Sequence, residues 1–417
     1  MNEKLLQFIW RFQYFNRSQL STTKGEKVEI VNPGSLNTNQ GPDFLNARIR
    51  IGNTLWVGSV EIHLRGSDWQ KHGHEGDQNY TNVVLHVVYQ HDISINEIPV
   101  IELGGRISTT LLERYADLMQ SQHFIPCEPM ISSVPDLILT ATKDRLVAER
   151  LQRKVSVVTN FLETTHTHWE ESFWWLLARN FGAKTNAEAF EAMARSIPLT
   201  LLGKHKSQLI QLEALLLGQA GLLGGRFEEA YPTMLKKEYL FLKSKYALKP
   251  VHVPVRFLRM RPSNFPTLRL AQLAALIFNS VHLFSKMIEE PELNKVRSWF
   301  AAAPNDFWKY HYSLKDEAHF KEKSIGASMI DNIIVNTVIP FLYVYGSRNA
   351  KSDLIKKAAE WLESCRAEKN AITKGFENRG IPHKTAYDSQ ALIELKTQYC
   401  DLKKCLSCPI GSALIKN

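Results

Sequence analysis

An acidic pair beside a histidine is the feature of this sequence best suited to carry chemistry. Asp43 follows a proline, and Glu61 and His63 stand two positions apart. Side chains two residues apart in a strand face the same side, so Glu61 and His63 are predicted to share one face. Two carboxylates on adjacent strands can bind a divalent cation such as Mg²⁺ together. Such a cation lowers the pKa of a bound water and neutralises charge on a scissile phosphate, so this pattern predicts metal-dependent phosphodiester hydrolysis.

A polar stretch rich in histidine follows the acidic pair. His72 and His74 lie a few residues beyond His63, and Asp77 comes next. Imidazoles and carboxylates at this density suit a metal ion or a phosphate group. We therefore assign His72, His74 and Asp77 to the candidate catalytic site, with a turn cap as the alternative role of Asp77. His86 stands in an apolar run and better fits a core residue that is hydrogen-bonded to a neighbour.

The elements that must position these residues are a helix and several strands. Residues 46–51 alternate between apolar and polar side chains, and a Gly-Asn turn leads into a second strand. If these two strands form a hairpin, Asp43 approaches Glu61 across the pair. The predicted order is a helix (residues 3–15), three strands (28–31, 46–51 and 55–64), a connection, and one or two further strands (83–89 and 99–103).

The pattern becomes almost wholly helical from about residue 140. Apolar residues then recur at helical intervals as far as the C-terminal region. The sequence therefore predicts an α+β protein with an α/β domain over residues 1–125 and a large, mainly α-helical domain over residues 140–417. The Pro-containing stretch around residues 124–140 is the predicted linker.

The acidic pair and the order of elements resemble the PD-(D/E)XK nuclease superfamily, whose pattern is Pro-Asp, then an acid, one residue and a Lys. The resemblance implies a restriction-endonuclease-like fold for residues 1–125, with Asp43 and Glu61 holding Mg²⁺ or Mn²⁺. His63 stands where the family usually has Lys, so it would polarise the phosphate or position water. The very-short-patch repair endonucleases of this superfamily carry His there and further His downstream. An acid on the first helix often assists in such nucleases, which implies a minor role for Glu3.

Several longer runs resemble DUF2851, a bacterial family of uncharacterised proteins. The resemblance extends over nearly the full chain but implies no established activity. The nuclease prediction therefore depends on the superfamily pattern and on the residues themselves. The runs are residues 37–44, 58–63, 67–69, 72–74, 259–266 and 400–411.

A stretch of the helical half carries only positive charge. Residues 239–288, the basic segment, contain eight Lys and Arg residues and no Asp or Glu. Neutralising phosphates with such residues is a main source of nucleic-acid affinity, and interleaved aromatic rings can stack on unpaired bases. The alternative is that the arginines pair with acids elsewhere in the helical domain. The residues assigned to nucleic-acid binding are Arg256, Arg259, Arg261 and Arg269.

Three cysteines near the C-terminus have spacing typical of a metal site. Cys400, Cys405 and Cys408 follow the pattern C-x4-C-x2-C, and thiolates at these intervals can hold Zn²⁺ or an iron–sulphur cluster. Some RecB-type nucleases of the same superfamily carry cysteine-bound iron–sulphur clusters, which is an analogy only. The alternative is three reduced, partly buried thiols at a helix end. Candidates for the fourth ligand that a closed site needs are Cys365, His383 and, more distantly, Cys127.

Composition narrows the class of protein. The 417 residues are 44% hydrophobic and 22% charged, which excludes a disordered chain. Five cysteines are too few for a disulfide framework, and no secretory signal is recognisable at the N-terminus. The longest apolar stretch, residues 270–284, is too short and too polar to span a bilayer. These features predict a cytoplasmic protein without a membrane partner, and the net charge of +9 fits a nucleic-acid partner.

Three functions are therefore carried forward. The first is a divalent-metal-dependent nuclease acting on DNA or RNA, in DNA repair or processing. The second is a non-catalytic nucleic-acid-binding or scaffold protein that keeps the nuclease-like fold, because the Lys of the superfamily pattern is missing. The third is a zinc-dependent hydrolase that uses the histidine cluster on another substrate.

Overall fold

The computed structural model of the protein describes residues 1–74, 77–93, 98–258, 260–280 and 282–416. The chain divides into two compact units. The first unit comprises residues 1–142 and 395–417, and the second comprises residues 143–394. Residues 395–417 therefore group with the N-terminal part of the chain, whereas the sequence placed them in the helical domain. The physical reason is packing, because the last helix of the chain contacts the helix Thr109–Gln120 of the first unit.

A mixed β-sheet forms the centre of the first unit. Its strands are β1 (Val28–Asn32), β2 (Ser35–Leu36), β3 (Phe44–Ile51), β4 (Thr54–Arg65), β5 (Val83–Gln90) and β6 (Val100–Glu102). The hairpin predicted from the sequence is confirmed, since β3 pairs antiparallel with β4 and Ile51 faces Thr54 across the turn. Gly52 makes that turn possible because its φ is +58°, a left-handed conformation that glycine adopts without steric cost.

The order of the strands across the sheet is β1-β3-β4-β5-β6, with β2 paired to β3. Strand β3 pairs antiparallel with both β1 and β4, whereas β4, β5 and β6 are mutually parallel. Parallel neighbours need a crossover connection, and residues 66–82 provide it between β4 and β5. This crossover contains the short helix α2 (Asp68–Lys71) and brings the histidines that follow it back to the sheet.

One amphipathic helix packs on this sheet. Helix α1 (Glu3–Phe12) contacts β4 and buries Leu6, Ile9 and Trp10. Asn2 caps its start, because the Asn2 side chain accepts a hydrogen bond from the backbone N–H of Leu5 at 2.9 Å. The helix ends three residues before the predicted end because Gln13 adopts a left-handed conformation with φ 54°.

The first unit also contains α3 (Thr109–Gln120), the start of α4 (Asp136–Thr164) and α19 (Pro409–Lys416). The second unit is helical, as the sequence predicts, and buries an aromatic core that includes Phe173, Trp174 and Phe341. Its remaining helices are α5 (Trp169–Phe181), α6 (Ala183–Arg195), α7 (Leu199–Lys204), α8 (Leu209–Gln219), α9 (Ala230–Lys245), α10 (Pro266–Asn279), α11 (Leu283–Glu289), α12 (Leu293–Trp299), α13 (Phe307–Tyr310), α14 (Ala327–Ile333), α15 (Ile339–Arg348), α16 (Ser352–Ser364), α17 (Ala371–Glu377) and α18 (Ala386–Glu394).

Among the described residues, one helical stretch is long and apolar enough to cross a membrane. It is Ala327–Arg348, formed by α14, a π-helical turn and α15. Its most apolar window is 67% buried inside the protein. The core helix of a globular protein has the same composition and burial, so this stretch is weak evidence for a membrane span. The bent pair of α10 and α11 passes the same test only if it is taken as one span across residue 281, which lies outside the described residues.

Candidate metal centre

Strand pairing brings the two predicted carboxylates together. Asp43 immediately precedes β3, and the register of the hairpin places Phe44 opposite Val60, so Asp43 lies beside Glu61. The backbone N–H of Asp43 donates to Glu61 Oε2 at 2.9 Å. The backbone N–H of Ile62 in turn donates to Asp43 Oδ2 at 3.2 Å. These reciprocal bonds hold both carboxylates at the same point of the sheet.

Two histidines contact Glu61, and a third contacts one of these two. His63 lies two residues along β4, and its Nε2 is 3.4 Å from Glu61 Oε1. His74 reaches the same oxygen from the crossover, with its Nε2 at 3.5 Å. His72 Nδ1 lies 3.1 Å from His63 Nε2. One donor atom from each of the three imidazoles falls within 4.8 Å of the others. We call Asp43, Glu61, His63, His72 and His74 the carboxylate–histidine site.

A buried imidazole orients the central histidine of the site. His86, on β5, is fully buried, and its Nε2 lies 2.9 Å from His63 Nδ1. If His63 donates its Nδ1 proton to His86, the lone pair on His63 Nε2 faces the carboxylate–histidine site. Such a hydrogen bond from the second ring nitrogen is the usual way that a protein fixes a metal-binding histidine. His86 is thus the hydrogen-bonded core residue that the sequence favoured.

Two aromatic side chains form the wall of the site. Tyr80 stacks on His74 with ring centroids 3.9 Å apart. Trp69, buried on α2, makes edge contacts with His63 and His74. These rings exclude water from one side of the imidazoles. Neither residue was predicted from the sequence, although an aromatic residue within a polar, histidine-rich stretch is a usable signal.

The two carboxylates repel each other in a poorly hydrated place. Burial and the charge of Asp43 raise the pKa of Glu61 to about 8. Burial also raises the pKa of Asp43 to about 6, against the hydrogen bonds from Gln7 and Ile62. Glu3, on α1, adds to the repulsion at both carboxylates and so also raises their pKa values. Glu3 is the helix acid to which the superfamily resemblance gave a minor role. Like charges forced together away from water are stabilised by a bound cation.

The imidazoles of His63, His74 and His86 are held neutral. Burial, followed by the charges of the neighbouring histidines, lowers the pKa of His63 to about 3. Burial and His74 lower the pKa of His86 to about 4, and burial lowers the pKa of His74. Neutral imidazole is the form that binds metals. Buried His74 Nε2 makes no hydrogen bond among the described residues, and it lies 3.5 Å from Glu61 Oε1.

The arrangement fits a divalent cation. Carboxylate oxygens suit Mg²⁺ and Mn²⁺, whereas imidazole nitrogens suit Zn²⁺ and other transition metals. Glu61 contacts two of the three imidazoles, so a metal bound there would have ligands of both kinds. Asp43 also accepts a hydrogen bond from Gln7 Nε2 at 2.8 Å. Gln7 is a supporting residue that the sequence analysis did not identify.

The remaining predicted residues of the first unit are arranged differently. Asp77 accepts hydrogen bonds from the backbone N–H and the side-chain amide of Asn79, both at 2.9 Å, and so caps the turn that follows the histidines. Its charge nevertheless acts on His74. Asp77 therefore caps the turn and contributes no atom to the three-histidine group. This is the alternative role that the sequence left open for it.

The basic segment lies in the second unit, and its arginines differ from one another. Arg256 and Arg261 are exposed. Arg269 is half-buried and donates to Gln272 Oε1 at 3.0 Å and to Asn264 Oδ1 at 2.6 Å. Burial lowers the pKa of Arg269. The partners of Arg269 are thus neutral amides rather than acids. Arg259, also assigned to nucleic-acid binding from the sequence, lies outside the described residues.

The fold and the site together define an α+β protein with a buried carboxylate–histidine site at the junction of an antiparallel hairpin and a parallel strand. Residues 3–371 match the family described as protein of unknown function (DUF2851), and the chain belongs to that family. The resemblance to this family is thereby confirmed. No curated protein matches the chain, and no solved structure matches it.

Proposed function

We propose that the first unit is a divalent-metal-dependent phosphodiesterase that cleaves DNA or RNA at the carboxylate–histidine site. The observation that carries the proposal is the pairing of half-buried Asp43 with buried Glu61, which contacts the imidazoles of His63 and His74 within a group of three histidines. Structural ion pairs match opposite charges, whereas this cluster brings together two carboxyl groups and imidazole nitrogens with no cation among them. A bound cation would supply the positive charge that these groups lack.

The residues of the site have separate roles in this proposal. Asp43 and Glu61 hold the cation, with His63 and His74 as further ligands beside Glu61. The bound metal would lower the pKa of a water and neutralise charge on the scissile phosphate. His72, which is the least buried of the three histidines, is positioned to contact the substrate or to donate a proton to the leaving oxygen.

The strand order supports the more specific likeness to PD-(D/E)XK nucleases. A helix, an antiparallel β1-β3-β4 meander, a crossover and a parallel β5 follow in the order that the superfamily resemblance implies. Asp43 stands at the start of the second long strand and Glu61 on the third, where the acids of the pattern are expected. His63 takes the position of the usual Lys.

Charge supports a polyanionic substrate. The whole chain carries a formal charge of +9. Within the second unit, the exposed side chains of Arg256 and Arg261 provide cations for phosphate contacts. We propose that this unit contributes sequence-independent affinity for a nucleic-acid backbone.

A zinc hydrolase is the second candidate function. It is favoured by one observation, namely the three imidazole nitrogens within 4.8 Å of one another. A set of three histidines with an open position is a known zinc arrangement. The two candidates differ in the metal that activates the protein and in the substrate, and the experiment tests the metal on nucleic-acid substrates.

The test compares wild type, Asp43→Asn and Glu61→Gln on labelled single-stranded, duplex and branched DNA and on RNA, each with Mg²⁺, Mn²⁺ or Zn²⁺. We expect cleavage by wild type and a loss of at least about 10³-fold in both variants, because each removes a charge that the metal needs. Both substitutions keep the shape of the side chain, so folding is expected to persist. Circular dichroism and the unfolding midpoint check this point.

The matched control is Glu29→Gln, a carboxylate on β1 of the same unit whose side chain is 64% exposed and pairs with Arg50. It should cleave like wild type. Cleavage that survives in Asp43→Asn and Glu61→Gln would indicate a contaminant or another site. If wild type binds nucleic acid but cleaves none of the substrates with any metal, the proposal of catalysis is wrong and a non-catalytic binder takes its place.

A further inference from the structure

One face of helix α9 in the second unit lies in solvent although it carries apolar side chains. The helix packs on α8 and buries Leu235, Tyr239 and Leu242. Its opposite face leaves Met234 and Phe241 exposed, at 38% and 56%. These two residues lie seven positions apart, which is two turns, so they share one stripe of the helix surface. The other members of that stripe decide which partner it fits.

Lysines alternate with these apolar side chains. Lys237 lies between Met234 and Phe241, Lys245 follows one turn after Phe241, and both lysines are exposed. The ammonium group of Lys245 lies 5.6 Å from the centroid of the Phe241 ring and 5.3 Å from that of Tyr246. Neither lysine forms an ion pair with a residue that the structure describes. We call Met234, Lys237, Phe241 and Lys245 the α9 stripe.

A chain of polar contacts holds the aromatic ring at the end of the helix. The hydroxyl of Tyr246 lies 3.0 Å from Nε2 of buried His205, and His205 Nδ1 lies 2.5 Å from Gln211 Oε1. Gln211 Nε2 donates to Glu238 Oε1 at 2.7 Å. Glu238 is the only acid within α9, and this contact engages it with a neutral amide. The ring of Tyr246 is therefore fixed beside Lys245.

The positive charge of the α9 stripe continues along the chain. The basic segment, residues 239–288, begins within α9 and contains no Asp or Glu. Lys243 and Lys245 lie in the last turn of α9, where cations also offset the partial negative charge of a helix end. Lys237 lies outside that turn, so this structural role does not account for it. The stripe thus presents cations and an aromatic ring together to a polyanion.

The order of side chains in the α9 stripe favours a nucleic-acid strand over a membrane surface. An interfacial helix inserts an apolar face between lipids and keeps its lysines on the opposite, polar face. Here Lys237 lies between Met234 and Phe241, so charge interrupts the apolar surface. A strand of nucleic acid alternates phosphates with flat bases, and lysines interleaved with a ring match that alternation.

The exposed ring of Phe241 distinguishes a single strand from a duplex. Aromatic side chains bind single strands by stacking on the bases, whatever the sequence of the strand. In a duplex the bases are paired and stacked on one another, so their faces are closed to a side chain on a protein surface. Only the lysines of the α9 stripe would then make contacts, through the phosphates of the duplex.

We propose that the α9 stripe, together with Tyr246, binds single-stranded nucleic acid. Phe241 stacks on an unpaired base, and Lys237 and Lys245 contact the phosphates on either side of it. The inference rests on the proposed function and names its substrate class, which is a single strand or a single-stranded stretch. The arginines of the basic segment contact phosphates in either form, so the α9 stripe adds the preference for unpaired bases.

The experiment measures binding of the full chain to labelled single-stranded and duplex DNA of one sequence, without added Mg²⁺, Mn²⁺ or Zn²⁺. We expect Phe241→Leu to weaken binding of the single strand by about 5-fold or more, because the ring is lost while an apolar side chain remains. Binding of the duplex should stay at the wild-type level. Lys245→Gln should weaken binding of both forms and reduce the magnitude of the single-strand salt slope by about 0.7.

Phe320→Leu is the matched control. Phe320 belongs to the second unit, is 58% exposed and contacts the exposed ring of Tyr310, with centroids 5.5 Å apart. The charge beside this aromatic pair is matched, because Lys309 pairs with Asp306 and Glu322. Phe320→Leu should therefore bind both forms of DNA like wild type. The unfolding midpoint of each variant checks that folding is unchanged.

The outcomes separate this inference from the proposed function. Weaker single-strand binding by Phe241→Leu alone, in a protein that cleaves nothing, would support the inference and reject catalysis. Normal cleavage with equal single-strand binding by wild type and Phe241→Leu would overturn the inference and keep the nuclease. Equal losses in Phe241→Leu and Phe320→Leu would also overturn it. Binding to vesicles of phosphatidylcholine and phosphatidylserine that Phe241→Leu abolishes would assign the stripe to a membrane surface instead.

Discussion

Two regions of the molecule bury charged groups in opposite ways. In the carboxylate–histidine site, Glu61 and Asp43 repel each other, and their pKa values rise to about 8 and about 6. In the second unit, Glu394 is equally inaccessible but contacts the guanidinium groups of Arg150 and Arg153. The first region concentrates one sign of charge, and the second matches opposite signs. The two regions therefore differ in what they would gain from a bound cation.

The second region is organised as a structural network. Gln390 Oε1 accepts from Arg150 Nε and from Lys154 Nζ, both at 2.6 Å. Lys154 also donates to the carbonyl of Val335 at 3.2 Å. Burial lowers the pKa of Lys154 well below its ordinary value. Each buried group in this network has a partner of complementary chemistry. No ligand is therefore needed to account for the burial of these polar groups. Burial alone thus does not indicate function, whereas burial with unmatched charge does.

The largest effect on folding is expected in the second unit. Glu394→Ala leaves the guanidinium groups of Arg150 and Arg153 without their carboxylate partner. Removing one member of a buried pair costs about 3–5 kcal/mol because the remaining charge is uncompensated. We expect the free energy of unfolding, measured by urea titration, to fall by about this amount. Cleavage per folded molecule should be unchanged.

The control for this prediction is Glu360→Ala, which removes the partner of Lys356 on the surface of α16. Both side chains are largely exposed, at 60% and 78%. Exposed pairs contribute about 0–1 kcal/mol, so this variant should unfold close to wild type. Equal effects of Glu394→Ala and Glu360→Ala would contradict the distinction between the network and the surface.

The next effect concerns the stability of the metal-free first unit as pH changes. The pKa of Glu61 is raised from 4.5 to about 8 on folding. Between these values the folded state keeps a proton that the unfolded state has released, so the free energy of unfolding falls as pH rises. The slope for one such proton approaches about 1.4 kcal/mol per pH unit. Glu61→Gln should remove this slope.

The measurement is denaturant unfolding of chelator-treated wild type and Glu61→Gln from pH 6.5 to pH 8. Folded His63 and His86 are neutral throughout this window, because their pKa values are lowered to about 3 and about 4. In the unfolded state they still release protons near their ordinary pKa of 6.5, and the comparison of wild type with Glu61→Gln cancels this shared contribution. Saturating Mn²⁺ should abolish this slope in wild type, because the cation binds the deprotonated carboxylates and the folded state then keeps no extra proton. Parallel curves for wild type and Glu61→Gln would show that the two carboxylates do not repel each other as the geometry requires.

Much of the first unit could be predicted from local patterns. The alternation of residues 46–51 and the Gly-Asn turn specify the β3–β4 hairpin, and the hairpin brings Asp43 to Glu61. The two-residue spacing of Glu61 and His63 then places both on one face of β4. These relations span a few residues or one turn, so a single sequence contains the information for them.

Other features depend on contacts between distant segments. Gln7 donates to Asp43 from a helix that the sequence places far away, and no periodicity in α1 indicates this contact. Cys127 and the C-terminal cysteines belong to the same unit, because residues 395–417 group with the first unit. The predicted boundary put those residues in the helical domain, since helical periodicity continues through them. Periodicity identifies an element, but it does not identify the unit against which that element packs.

The smallest effect separates two arginines of the basic segment. Arg261 is exposed, whereas Arg269 is half-buried and donates to Asn264 and Gln272. Replacing either with Gln removes one positive charge, so the two variants have the same net charge. Arg261→Gln should weaken binding of labelled nucleic acid across all sequences and reduce the magnitude of its salt slope by about 1.

Arg269→Gln should instead lower the free energy of unfolding of the second unit by about 1–3 kcal/mol, because it breaks two charge-assisted hydrogen bonds. Its salt slope should match that of wild type. Identical losses of affinity in both variants would mean that only net charge matters, and the assignment of Arg261 to phosphate contact would be wrong. The two arginine variants thus test, within the second unit, the same distinction between matched and unmatched charge that separates the two buried regions. A charge whose bonds are satisfied inside the fold contributes to stability, and a charge left facing solvent is available to a ligand.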